Sequence, residues 1–158
     1  MRDYGFNFEW YDKYCTNLFA KGFEQKQEKY DVLTAFELFE HLPNPSKDIA
    51  PLLGKSNVLI FTTTLLPEPA PQATEWWYYS PFTGQHISFY TKKALSILAE
   101  QFGLKYSGYG DFHIFVKEQI PAWKMRLAYR LAFVVNKIIR QKSLLSDDYK
   151  AITGRSLS

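Results

Sequence analysis

The residues best suited to chemistry lie together near position 40. Glu37, Glu40 and His41 place two carboxylates and one imidazole within a short stretch of chain. If the chain forms a helical turn there, residues three and four apart project on one face, so the three groups can converge. Such a set suits a hard or borderline divalent ion. Two alternatives remain open: His41 as a general base or acceptor-orienting group, and a structural role in which Glu40 caps a turn and His41 packs at a strand end.

A second group of candidates is aromatic. The segment 66–83 carries four prolines and little periodicity, and it contains the consecutive residues Trp76, Trp77, Tyr78 and Tyr79. This pattern predicts a long loop, and long ordered loops in compact domains are usually functional. Flat aromatic faces suit the stacking of a ring or of the apolar face of a sugar. The same residues can equally cover a sheet edge, so the pattern leaves both roles open.

The elements that must position these residues alternate between strands and helices. Apolar runs predict buried strands over 30–36 and 57–64, and weaker alternation predicts an aromatic strand over 4–11 that ends at Asp12. A helix is expected over 47–53, capped by Ser46 and ended by Gly54, and another after the cap Thr91. Segments 105–109 and 112–116 flank a Gly-Asp turn and predict an antiparallel hairpin. This order predicts an α/β sheet with helices on both faces.

Composition limits the classes of protein that remain. The chain has 158 residues, 46% of them hydrophobic and 22% charged, which is enough apolar mass for one core and excludes disordered and coiled-coil classes. A net charge of +3 does not indicate a nucleic-acid partner. The single cysteine, Cys15, excludes an intrachain disulfide and a cysteine-based zinc cluster. With neither a long apolar run nor a basic, apolar leader, the sequence predicts a cytoplasmic protein.

The C-terminal part, 121–158, has a different character from the part before it. With Pro121 as the first helical position, residues 123–142 form an amphipathic helix with one apolar and one basic stripe. The apolar stripe consists of Trp123, Leu127, Leu131, Val134 and Ile138, and the basic stripe of Arg126, Arg130, Lys137 and Arg140. The apolar stripe either covers the domain core or contacts a membrane surface, a partner helix or a second copy. Residues 143–158 are expected to form a polar tail.

Two segments carry a resemblance to a known family. Segment 30–45, YDVLTAFELFEHLPNP, and segment 84–106, GQHISFYTKKALSILAEQFGLKY, resemble the class I S-adenosylmethionine-dependent methyltransferases whose fourth motif ends in Glu-His-Leu. With a strand ending in Asp12, the resemblance covers roughly residues 4–118. It implies a Rossmann-like sheet, S-adenosylmethionine as methyl donor, and transfer to a hydroxyl or similar acceptor of a small molecule or saccharide.

One family feature is not found in this sequence. Family members begin with a strand leading into a glycine-rich turn, and no such turn precedes Asp12. We therefore expect a partial methyltransferase domain over 1–120 that lacks its first strand, followed by the helix and tail over 121–158. The alternative function is a non-catalytic, methyltransferase-like fragment that binds a partner or a membrane surface.

The resemblance also implies roles for individual residues. Asp12 would hold the ribose of the cofactor, and the chain would pass the cofactor at Thr34, Ala35 and Phe36. Small-RNA 2′-O-methyltransferases and ubiquinone-biosynthesis O-methyltransferases carry a similar Glu-x-x-Glu-His set that helps bind a metal, and a later histidine completes it. Here that implies a metal site formed by Glu37, Glu40, His41 and His86, in which the two histidines are the candidate catalytic residues.

Overall fold

The computed structural model describes residues 1–16, 22–138 and 142–155. The chain divides into two compact units. One unit is Lys29–Arg130, and the other combines Met1–Glu28 with Leu131–Ser158. This division does not test the predicted domain boundary at residue 120, which stays a prediction.

The unit Lys29–Arg130 is built on a four-stranded mixed sheet. Its strands are β1 (Leu33–Ala35), β2 (Leu59–Thr62), β3 (Lys105–Tyr109) and β4 (Phe112–Val116), in the spatial order β1-β2-β4-β3. Strands β1 and β2 are parallel, whereas β4 runs antiparallel to both β2 and β3. This arrangement confirms the predicted α/β sheet and terminal hairpin. The two buried strands are shorter than their apolar runs.

Two helices cover one face of this sheet. Helix α1 (Pro45–Leu53) begins at Asn44, whose side chain accepts the Lys47 N–H at 3.3 Å, so the prediction of Ser46 as the cap is wrong. The proline at the first helical position explains the earlier start, because its fixed φ suits that position. Helix α2 (Lys92–Glu100) begins at Thr91, as predicted, and Thr91 Oγ1 accepts the Ala94 N–H at 3.1 Å.

The core lies between these helices and the sheet. Alternate residues of β2 and β4 point into it, and the ring of Phe39 stacks on that of Phe61 at 3.8 Å. Its buried members are Ala35, Phe39, Leu42, Ile49, Leu59, Phe61, Tyr90, Leu95, Leu98, Ala99, Leu104 and Phe115. On the opposite face, Tyr129 of helix α3 (Ala122–Ile138) contacts the rings of Tyr109 and Phe112. Helices therefore contact both faces, as the sequence predicts.

The predicted aromatic strand over 4–11 does not form. Arg2–Tyr4 is a 3-10 helix, and the later part of the segment makes one isolated parallel bridge, between Trp10 and Glu24. Trp10 N–H donates to Phe23 O at 2.7 Å, and Gln25 N–H donates to Trp10 O at 2.9 Å. A single bridge is too short to build a ladder, so the aromatic alternation of this segment does not lead to strand pairing.

The polar segment after α3 contains a helix that the sequence does not predict, α4 (Leu145–Thr153). The Arg2 guanidinium pairs with both carboxylate oxygens of Asp148, and Leu144 N–H donates to Arg2 O at 3.1 Å. Gly154, at φ +70°, ends the helix. Contacts with residues far away in the chain stabilise this short helix, and a pattern of neighbouring residues cannot show them. None of the described helices is long and apolar enough to cross a membrane.

Candidate functional site

The candidate site lies where the parallel strands β1 and β2 end. The chain leaves β1 through Glu37, whose backbone has φ +49° in the left-handed region. Glu37 N–H donates to Thr62 Oγ1 at 2.9 Å, and the Thr62 hydroxyl donates to Glu37 Oε1 at 2.6 Å. These bonds hold the unusual turn. The helical turn expected over 37–41 is limited to the 3-10 helix Phe39–His41. Glu37 lies outside it, so the expectation that helical spacing places Glu37 on one face with Glu40 and His41 is wrong.

Glu40 is the most unusual residue of the site. Its side chain is fully buried, and neither carboxylate oxygen has a hydrogen-bond partner. Its backbone is firmly held, because Ile87 N–H and Ser88 N–H both donate to Glu40 O, at 2.8 and 3.1 Å. Burial raises the pKa of Glu40, and the nearby carboxylate of Glu37 raises it further. A buried carboxylate without such a partner costs folding free energy.

Two histidines flank Glu40, each held by a backbone carbonyl. His41 Nδ1 lies 2.9 Å from Gln85 O, and His86 Nδ1 lies 2.6 Å from Tyr78 O. Because a carbonyl oxygen only accepts, each Nδ1 carries the proton and each Nε2 of the neutral ring keeps its lone pair. Metal-binding histidines are held in this way in proteins. The two rings are 5.1 Å apart, and potential ligand atoms of Glu40, His41 and His86 lie within 4.8 Å of one another.

The aromatic segment packs against this cluster. Tyr78, in the 3-10 helix Trp77–Tyr79, is buried, its hydroxyl lies 3.1 Å from Thr63 Oγ1, and its ring lies 4.5 Å from that of His86. Burial raises the pKa of Tyr78 to about 12, so the phenol is neutral. Sequence reasoning placed Tyr78 in a loop but missed its contact with His86, and it missed Thr63 and the Gln85 carbonyl entirely. The adjacent Trp77 is 77% exposed.

The residues expected to hold a cofactor lie in both units. Thr34 and Ala35 belong to β1, and Phe36 follows it, partly exposed, with its ring 6.4 Å from that of Phe112. In the other unit, Asp12 Oδ1 accepts the N–H groups of Tyr14 and Cys15 at 2.7 and 2.9 Å. These two bonds lower the pKa of Asp12 and keep it anionic.

Parallel strands with polar side chains at their carboxyl ends, in a sheet of order β1-β2-β4-β3, define a Rossmann-like α/β protein. The chain belongs to the methyltransferase domain family, whose model matches residues 1–107. This confirms the predicted membership of the class I S-adenosylmethionine-dependent methyltransferases. The match includes β1, β2, both core helices and the whole Glu40, His41 and His86 cluster. No curated protein and no solved structure is significantly similar to the chain.

Proposed function

We propose that this chain transfers the methyl group of S-adenosylmethionine to a hydroxyl of a small molecule or saccharide, and that a divalent metal ion held by Glu40, His41 and His86 orients that hydroxyl. Family membership supports the methyl transfer. The observation that carries the metal is the buried carboxylate of Glu40, which has no hydrogen-bond partner and has two carbonyl-anchored imidazoles beside it.

The donor set fits a borderline divalent ion, since it offers one carboxylate and two neutral imidazoles. When bound, the ion would lower the pKa of the acceptor hydroxyl. His41 and His86 would bind through Nε2, because their Nδ1 atoms are engaged with carbonyls. Glu40 would supply the negative charge. Glu37 would join the set if its carboxylate exchanged the Thr62 hydroxyl for the ion.

Methyl transfer from a sulfonium requires little covalent chemistry from side chains, because the protein mainly aligns the two reactants and excludes water. We assign the cofactor to the carboxyl end of β1, at Thr34, Ala35 and Phe36. Ala35 has a small side chain that permits close approach of a ligand to the backbone, and Phe36 offers an exposed ring. Anionic Asp12 has the chemistry to accept hydrogen bonds from ribose hydroxyls.

The acceptor side of the site would use Trp77. Its indole is exposed and lies 5.3 Å from the ring of Tyr78, which also contacts the ring of Trp76. Tyr78 in turn contacts the His86 ring. An exposed indole suits stacking on a hydroxylated ring or on the apolar face of a sugar.

Calorimetric titration tests the two parts of this proposal separately. S-adenosylhomocysteine should bind the chain, and Mn²⁺ should bind the wild type and Glu118→Gln, a control at an exposed acid, but bind His86→Asn about tenfold more weakly or worse. Mn²⁺ affinity unchanged in His86→Asn would remove the metal. A chain that binds no S-adenosylhomocysteine would favour the non-catalytic alternative.

A further inference from the structure

Helix α3 presents an apolar surface to solvent. The side chains of its apolar stripe are between 42% and 75% exposed. They are Trp123, Leu127, Leu131, Val134 and Ile138, and we call them the α3 stripe. A stripe that covers a core would be buried, so the core-covering role left open by the sequence is wrong for these side chains. Exposed apolar surface of this extent commonly marks an interaction site.

The attachment of α3 to the sheet explains why this stripe is free. Tyr129 makes the ring contacts with Tyr109 and Phe112, at 5.4 and 5.8 Å. At 3.6 residues per turn, Tyr129 projects about 120° away from Trp123 and more than that from Leu127. The helix is therefore fixed by one side while the stripe points in another direction.

The charge of α3 identifies the kind of surface that the stripe fits. Its sequence, AWKMRLAYRLAFVVNKI, contains no aspartate or glutamate, while Lys124, Arg126 and Arg130 are basic. Arg126 and Arg130 are four residues apart and border the stripe on one side. A second copy would bring the same cations together, which is unfavourable. An anionic surface would meet both the apolar residues and the cations.

We propose that α3 lies flat on an anionic lipid bilayer, with the α3 stripe in the headgroup and upper acyl region and with Arg126 and Arg130 at the lipid phosphates. Interfacial helices combine an apolar face that includes Trp and Leu with a basic face and bind with both. Each basic residue near such a surface adds to the attraction, and salt screens that part. This inference concerns α3 alone and is independent of the proposed reaction.

Co-sedimentation of the full chain with vesicles tests the inference. The protein should bind vesicles containing phosphatidylglycerol, bind pure phosphatidylcholine far less, and be released by high salt. Arg126→Glu with Arg130→Glu should weaken binding at least about tenfold. Leu127→Asp with Val134→Asp should do the same at any salt concentration. Ile97→Asp, a control at a similarly exposed apolar residue of α2, should bind like the wild type.

Two further measurements keep the test decisive. Circular dichroism should show equal helix content in all variants, because the altered side chains are exposed. If Leu127→Asp with Val134→Asp loses helix, Leu127→Gln with Val134→Gln takes its place. Equal binding to both vesicle types, or no binding at low salt, would overturn the proposal. So would sedimentation equilibrium showing a dimer that Leu127→Asp with Val134→Asp separates, since the stripe would then bind a second copy.

Discussion

Glu40 combines two properties that ordinary structural residues lack. It is fully buried, and its carboxylate has no hydrogen-bond partner even though its backbone oxygen accepts two N–H groups. Burial raises the pKa of Glu40. At a pH above the pKa of an ordinary glutamate, the ionised carboxylate therefore destabilises the folded protein. The metal site proposed above would offset this cost, because a bound cation would pair with the carboxylate.

Replacing Glu40 should therefore stabilise the metal-free protein. We expect Glu40→Gln to raise the free energy of unfolding near neutral pH by about 1 kcal/mol or more, because the amide fills the same volume without a buried charge. Urea unfolding in the presence of a chelator measures this. The control is Glu118→Gln, at an exposed carboxylate outside the site, which should change stability by less than about 0.5 kcal/mol. A destabilised Glu40→Gln would indicate a structural role for the carboxylate.

At the scale of elements, two hydrogen bonds of one histidine connect neighbouring strands of the sheet. His113 of β4 is buried, its Nδ1 lies 3.0 Å from the Tyr106 hydroxyl of β3, and its Nε2 lies 2.9 Å from Thr63 O after β2. Thr63 O only accepts, so Nε2 carries the proton and Nδ1 accepts from Tyr106. Burial lowers the pKa of His113 and so favours this neutral ring, and both ring nitrogens are engaged within the sheet.

Stability should consequently fall in mild acid. Burial lowers the pKa of His113, so the unfolded chain takes up this proton more readily than the folded one. The contribution is fully present above the unfolded pKa of about 6.5 and is lost as pH falls from there toward the folded pKa. Urea midpoints measured from about pH 7.5 to about pH 5 should decline less steeply in His113→Gln than in the wild type. Parallel curves would show that His113 is not the group responsible.

The hydrogen bond between His113 and Tyr106 leaves no room for a side chain at Gly108 of β3. A Cβ there would lie 2.5 Å from His113 Nδ1 and 2.6 Å from the Tyr106 hydroxyl. Gly108→Ala should destabilise the protein by about 1–3 kcal/mol, because it forces the bonded pair apart. Thermal unfolding measures the effect. Gly54→Ala is the control, since its Cβ would meet nothing closer than 3.4 Å and its φ is −63°; equal losses in both would contradict the steric explanation.

At the scale of the whole molecule, the N-terminal and C-terminal segments form a unit of their own. Arg2 and Asp148 form a two-bonded ion pair within it, and both side chains are largely buried. The hydrogen bond from Arg2 lowers the pKa of Asp148, so this contribution is present above an ordinary aspartate pKa and is lost in acid.

Removing this pair should open one unit without unfolding the other. In Asp148→Asn, amide hydrogen exchange should become faster in α4 and the first residues of the chain, while β2 and β4 stay protected. Asp147→Asn is a close control, because Asp147 is exposed and its ion pair with Lys142 is long, at 3.4 Å. Faster exchange throughout the sheet would show that the two units unfold together.

The sequence alone determined the elements whose signals are local. The cap at Thr91, the hairpin around Gly110 and the apolar runs of β1 and β2 follow from neighbouring residues, as does the Glu-His-Leu segment that indicates the family. Only the tertiary structure decided which side chains meet. It brought His86 beside Glu40 and His41, because the residues next to His86 in the chain hydrogen-bond to them across more than forty residues. It also formed α4 against Arg2 and left the α3 stripe exposed. The physical reason is that burial and long-range pairing depend on the packing of the whole chain, whereas caps, turns and periodicity depend on a few adjacent residues.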